Sequence, residues 1–185
     1  MGAKDAGTVD PLALDALAGR AGRLLSAGPV VGAGAPLRQG RAGGGLRVAV
    51  ACSRFNGAIT WRLLEGALEV LEECGVDRGD VTVAWAPGAF ELPLLARALA
   101  AAGADAVVCL GAVVRGETDH YRFVAGECAR GLQHVALETG VPVAFGVLTT
   151  EDAAQAMARS EPGAGNKGRE AAATAVEMAR LLRTV

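Results

Sequence analysis

Few side chains in this sequence could do chemistry unaided, so their positions matter. There are two histidines. His120 follows Thr118-Asp119 at the head of a helix-like stretch, where an imidazole can exchange protons near neutral pH. His134, set between Leu132 and Leu137, has the ordinary place of a packed or surface helix residue. Two histidines are too few for a multi-histidine metal centre. The four cysteines (Cys52, Cys74, Cys109, Cys128) show neither CxxC nor metal-type spacing. They point to a reducing, cytoplasmic compartment and to no metal site. Arg159 and Lys167 flank the breaker-rich loop Ser160 to Asn166. Two cations beside a helix beginning suit a phosphate or another anion, and they equally suit ordinary helix-end charge. Phe55 and Phe90, beside Asn56 and Glu91, favour a flat aromatic ligand held by stacking.

The elements that must carry these residues begin at Leu46. Leu46 to Cys52, Val81 to Trp85, Ala106 to Val114 and Val143 to Leu148 are short valine-rich runs that read as buried strands. Helical spacing covers Thr60 to Cys74, with Thr60 as the N-cap and Gly75 as the stop. It covers Glu91 to Ala102 as well, with Pro93 in the first turn, where a missing N–H costs nothing. Tyr121 to Leu137, Glu151 to Ala158 and Gly168 to Leu182 complete the set. Strands alternating with helices imply a parallel sheet covered on both faces, a three-layer αβα sandwich. Ligands in such sheets sit beyond the carboxyl ends of the strands. The segments expected there are Ser53 to Asn56, Pro87 to Glu91, Arg115 to His120, and Thr149-Thr150.

Composition removes several function classes. Eighteen Lys+Arg against 20 Asp+Glu give a formal net charge of -2, which supplies no basic field for nucleic acid or an anionic membrane. No apolar stretch reaches the ~18 residues of a membrane span. Gly163-Ala164-Gly165-Asn166-Lys167-Gly168 matches G-x-G-x-x-G as a string, but it follows a helix rather than a strand, so a dinucleotide site is not expected. Residues 1–45 hold 11 of the 26 glycines and three of the seven prolines, and read as a disordered extension. They lack the apolar core of a secretory signal and the Ser-rich, acid-poor make-up of a transit peptide.

The strand-end segments, taken in order, resemble the lumazine synthase family. The matching stretches are Ser53-Arg54-Phe55-Asn56, Pro87-Gly88-Ala89-Phe90-Glu91-Leu92-Pro93 and Gly111 to Tyr121. They continue with Pro142 to Thr150, Gln155-Ala156 with Arg159, and Asn166-Lys167-Gly168. The resemblance covers residues 46–185 as one catalytic domain with a four-stranded parallel flavodoxin-like sheet. It implies a cofactor-independent transferase of riboflavin biosynthesis. Such an enzyme condenses 5-amino-6-(D-ribitylamino)uracil with 3,4-dihydroxy-2-butanone 4-phosphate to give 6,7-dimethyl-8-ribityllumazine, releasing phosphate and water.

Residue by residue, the resemblance makes Phe55 the ring that stacks on the pyrimidine. Ala89, Phe90 and Glu91 become ribityl-side contacts, and Ala112, Val113 and Val114 offer backbone groups to the uracil edge. Glu117 and Thr118 present N–H groups to the phosphate, and His120 is the proton donor and acceptor. Phe145 and Lys167 become uracil-side contacts and Arg159 the phosphate clamp, all three from the adjacent subunit. Glu170 matches an acidic position near that lysine. The resemblance further implies a homo-oligomer with sites between adjacent subunits, a pentamer or a 60-mer hollow shell, with riboflavin synthase as a candidate partner. Two other classes share the fold: a non-catalytic shell-forming or flavin/lumazine-binding protein, and a flavodoxin-like electron carrier.

Overall fold

The computed structural model describes residues 45–185; apart from Gly45, the extension expected over 1–45 lies outside the described residues. Four strands form one sheet: β1 (Val48–Ser53), β2 (Val81–Ala86), β3 (Ala106–Val114) and β4 (Val143–Thr150). Five helices connect and follow them: α1 (Gly57–Glu73), α2 (Leu92–Ala101), α3 (His120–Thr139), α4 (Ala153–Ser160) and α5 (Lys167–Leu182). All pairings are parallel and the order is β2-β1-β3-β4. This is the α/β sheet the sequence implied.

Because successive strand residues point to opposite faces, the sheet separates two cores. Val48, Val50, Cys52, Val108 and Leu110 pack with Leu63, Leu64, Ala172 and Val176 of α1 and α5. Ala49, Ala51, Val107, Cys109 and Val147 pack with Leu92, Ala96, Cys128 and Leu132 of α2 and α3. The alanines on the second face let α2 and α3 lie close to the strands. On the first face, the approach of α5 to α1 depends on glycines. A Cβ on Gly168 would collide with the Leu63 carbonyl, and one on Gly66 would stand 2.6 Å from Asn166 Oδ1. Edge strand β2 is tied to α1 by Trp85 stacked on Trp61, ring centroids 5.8 Å apart.

Two local expectations are corrected. Helix α1 starts at Gly57, so Thr60 is no N-cap but a fully buried residue inside the helix. The turn is made instead by Asn56, the one non-glycine residue with positive φ among the described residues. Thr149-Thr150 belong to β4 rather than to a loop, since Thr150 pairs with Val114 and is buried.

The chain leaves β1 for β2 on one side and returns to β3 on the other. This puts the change of winding direction between β1 and β3, where open α/β sheets form their ligand crevice.

Candidate active site at the carboxyl edge of the sheet

The turn after β1 is held on three sides. Ser53 is fully buried and its Oγ donates to the Phe55 carbonyl at 3.3 Å. The backbone N–H groups of Arg54 and Phe55 donate to the carbonyls of Ala86 and Pro87, at 2.9 and 3.1 Å, fixing the turn against the end of β2. On the β3 side, Asn56 Nδ2 donates to the Ala112 carbonyl at 2.8 Å. Out of this rigid backbone the Phe55 ring projects 63% exposed. An apolar ring left this exposed at a ligand edge is not core, and its face is open to stacking.

Beyond β2, Gly88 leads into a 3-10 turn, Ala89–Glu91, which buries Ala89 and leaves Phe90 56% exposed. Glu91 is also exposed, and its carboxylate lies over Gly88, where a Cβ would meet Oε2 at 3.1 Å. Pro93 sits in the first turn of α2, as its fixed φ favours.

Beyond β3 the geometry is open on one side. Ala112, Val113 and Val114 pair with Leu148, Thr149 and Thr150 of β4, whereas the β1–β3 pairing stops at Cys52–Leu110. The β1-facing backbone groups past Leu110 thus border the crevice. Arg115 N–H donates to Thr150 O at 2.8 Å, and its guanidinium forks onto the Glu151 carboxylate at 3.0 and 3.2 Å. The chain then runs through exposed Gly116, Glu117, Thr118 and Asp119 into α3, whose first residue is His120, also exposed. Here His120 N–H donates to Thr118 Oγ1 at 3.4 Å. Backbone N–H groups at a helix beginning are of the kind that suit an anion.

Within one protomer, then, Phe55, Ala89, Phe90, Glu91, Ala112, Val113, Val114, Glu117, Thr118 and His120 line the carboxyl edge of three neighbouring strands. The remaining candidates stand elsewhere. Phe145 lies in the middle of edge strand β4, in register with Cys109, and is 45% exposed. Arg159 is in the last turn of α4, its guanidinium donating to Gln155 O at 3.1 Å. Lys167 opens α5 and its ammonium pairs with Glu170. The loop joining Arg159 to Lys167 is pinned by Asn166, 1% exposed. Asn166 Nδ2 donates to the carbonyls of Arg62 and Ser160, at 3.1 and 2.8 Å. Its Oδ1 accepts from the N–H groups of Gly168 and Arg169. Every polar site of that buried amide is used, which fixes where the two cations stand.

Sequence spacing did not reveal the two asparagine pegs or the Arg115–Glu151 fork. Asn166 could have been found as an Asn directly before a helix. The other two depend on partners that only the fold brings near. The cysteines play no visible part here. Burial pushes the Cys52 and Cys109 thiols well up and Cys128 to about 12, which keeps them protonated and poorly nucleophilic. No group of three metal-binding side chains exists among the described residues, and none of their helices is long and apolar enough to cross a membrane.

Comparison with known proteins agrees with this geometry. Residues 45–183 match the family model described as 6,7-dimethyl-8-ribityllumazine synthase. A protein of Edwardsiella ictaluri named 6,7-dimethyl-8-ribityllumazine synthase is 58% identical over 141 residues, spanning 75% of this chain and 90% of that protein.

Proposed function

Since the chain belongs to the 6,7-dimethyl-8-ribityllumazine synthase family and is a transferase of riboflavin biosynthesis, we propose that its reaction runs in the crevice between β1 and β3, completed by a second subunit. The substrates are 5-amino-6-(D-ribitylamino)uracil and 3,4-dihydroxy-2-butanone 4-phosphate. The observation that carries this proposal is the convergence of an exposed stacking ring (Phe55), an open strand edge (Ala112 to Val114) and an anion cradle with an imidazole (Glu117 to His120) around that one crevice.

The pyrimidine lies against Phe55 and offers its polar edge to the backbone of Ala112, Val113 and Val114. Its ribityl hydroxyls reach Ala89, Phe90 and the Glu91 carboxylate. The phosphate of the ketone sits on the N–H groups of Glu117 and Thr118. Chemistry begins when the substrate's own amine attacks the ketone carbonyl and water leaves to give an imine. Loss of the C3 proton then drives out phosphate and leaves an enol. Protonation of its terminal carbon makes the second methyl group and a ketone, which the second nitrogen attacks, closing the ring with loss of a second water. His120, at the end of the phosphate cradle, takes and returns these protons. Alignment of the two reactants is the larger part of catalysis, because a bimolecular condensation gains most from being made effectively unimolecular.

The rest of the pocket comes from the neighbour. Phe145, Lys167 and Arg159 stand on β4, α5 and α4, outside the segments that line the carboxyl edge of their own protomer, and in a closed ring they complete the next protomer's site. Phe145 and Lys167 approach the uracil; Arg159 clamps the phosphate. The exposed Phe90, Leu94 and Phe123 support burial of this face in a homo-oligomer. A pentamer is the unit, and the short connection from Arg159 to Lys167 favours assembly of pentamers into a 60-mer shell that could hold riboflavin synthase. Four free cysteines suit a cytoplasmic setting.

The test is direct: mix protein with both substrates and follow lumazine absorbance. Product above the uncatalysed rate supports the proposal. Lumazine or flavin binding without turnover would instead support a non-catalytic shell protein.

A further inference from the structure

Asn56 breaks two local rules at once. Its φ of 57° and ψ of 39° put a side-chain-bearing residue in the left-handed region. It also stands at the N-cap of α1, where an Asn ordinarily turns its side chain to the first free N–H groups, yet it makes no such cap. Only its backbone carbonyl serves the helix, accepting from the N–H groups of Ile59 and Thr60. The left-handed backbone sends the side chain the other way, across the crevice, to the Ala112 carbonyl. A left-handed backbone and a forgone cap, both at a ligand edge, mark a side chain committed to a long-range partner rather than to its own helix.

The ladder shows what the side chain does there. Backbone pairing between β1 and β3 ends at Cys52–Leu110. The next β3 carbonyl on that side, at Ala112, has no β1 backbone N–H to meet, and the Asn56 amide takes that place. One side chain thus adds a rung to the sheet after the strands have parted. That rung joins the residue following Phe55 to the first residue of the open strand edge. On the opposite side Phe55 is already fixed by its own N–H to Pro87 O and by Ser53 Oγ.

We infer that Asn56 is a positioning residue that sets the distance and angle between the Phe55 ring and the Ala112–Val114 backbone, and so sets how the aminouracil presents its amine to the ketone. This rests on the site proposed above, with Phe55 as its stacking platform. Removing the amide leaves the phosphate cradle untouched, so its effect falls on one substrate and on kcat.

The test compares Asn56→Gly, Phe55→Ala and the double variant in steady-state kinetics. Glycine takes the left-handed conformation freely, so the fold is kept while the amide is lost. Asn56→Gly should lower kcat/KM for the aminouracil by roughly tenfold or more, since misplacement of about 1 Å can cost ~100-fold. Its KM for the phosphorylated ketone should stay unchanged. If Asn56 acts through Phe55, the double variant should be no slower than Phe55→Ala alone. Asn56→Asp keeps the backbone preference but sets a carboxylate against a carbonyl, and should be at least as impaired as the glycine variant. Wild-type kinetics in Asn56→Gly, equal KM increases for both substrates, or losses that multiply in the double variant would each overturn the inference. If Phe55→Ala itself leaves the aminouracil kinetics unchanged, the site proposal fails instead, whatever Asn56 does.

Discussion

Phe145 pairs with Cys109 in the β3–β4 ladder, four residues short of the Thr149–Val113 level at the crevice, a displacement of roughly 13 Å along the strand. It also follows Ala144 of the α1/α5 core and precedes Gly146, so its ring faces the α3 side of an edge strand. A half-exposed aromatic ring far from its own protomer's Phe55 has a role in a site only if another subunit brings that site to it. Phe145→Ala should therefore raise the KM for the aminouracil several-fold, although nothing in its own crevice has changed. Steady-state kinetics with the ketone saturating would show it.

In the proposed site Arg159 is the charge-assisted contact to the phosphate of the ketone. Arg159→Ala should raise the KM for that substrate by roughly tenfold or more, the equivalent of about 1.5–3 kcal/mol for a hydrogen bond to a charged group. The KM for the aminouracil should barely move. An unchanged ketone KM would remove Arg159 from the phosphate site.

His120→Ala should lower kcat by less than the ~100- to 10,000-fold usual when a general acid–base group is removed. Alignment persists without the imidazole, and water can carry protons at an exposed helix start. Total loss of turnover in a folded variant would show that proton transfer outweighs alignment.

Gly168 lets α5 cross α1 at the Leu63 carbonyl, and Asn166 beside it fixes the loop between the two cations. Gly168→Ala should destabilise the fold by about 1–3 kcal/mol or more, because the obstruction is backbone and cannot turn aside. A fall in Tm by several degrees, with some loss of ketone binding through Arg159, is the expected calorimetric and kinetic result.

The buried thiols make a pH prediction. Cys128 rises from 9.0 to about 12 through burial, and Cys52 and Cys109 move the same way. Above the unfolded thiol pKa the unfolded chain holds fewer protons than the folded one, so stability must fall as pH rises. Their contribution is complete below about pH 9 and is lost progressively between there and about 12 for Cys128. Denaturant midpoints across that range should decline, and a Cys128→Ser variant should decline less. Native protein at pH 8 should expose one fast-reacting thiol, the half-buried Cys74, with the rest reacting on unfolding.

Most of the fold was legible because the sequence pattern is unambiguous where burial is. Ala106–Val114 is apolar throughout and bounded by Asp105 and Arg115, and the strand has those limits. The expected strand ends also placed Phe55, Phe90 and His120 at the crevice, where their exposure in the structure suits ligand contact. Errors came where local preference met a long-range partner. Thr60 has the chemistry of a cap, but Asn56 supplies the turn because its amide reaches Ala112, 56 residues away. Thr149-Thr150 look like a polar loop, yet Thr150 stays in the sheet with its hydroxyl donating to Asp152 O at 2.9 Å. Spacing carries no record of such pairings. It also could not tell which face of β4 is left uncovered, so Phe145 was assigned a place only through the family resemblance.

A catalytic pocket divided between neighbouring protomers is the claim on which the rest depends, and subunit mixing tests it most directly. Phe55→Ala and Arg159→Ala proteins, each impaired, would be unfolded together, reassembled at equal amounts and assayed at low substrate. If the two residues come from different subunits, roughly a quarter of the hybrid sites carry both native side chains, and activity should rise well above either parent. Activity no higher than the average of the two parents, in oligomers shown to be mixed, would place both residues in one protomer's site and contradict the account.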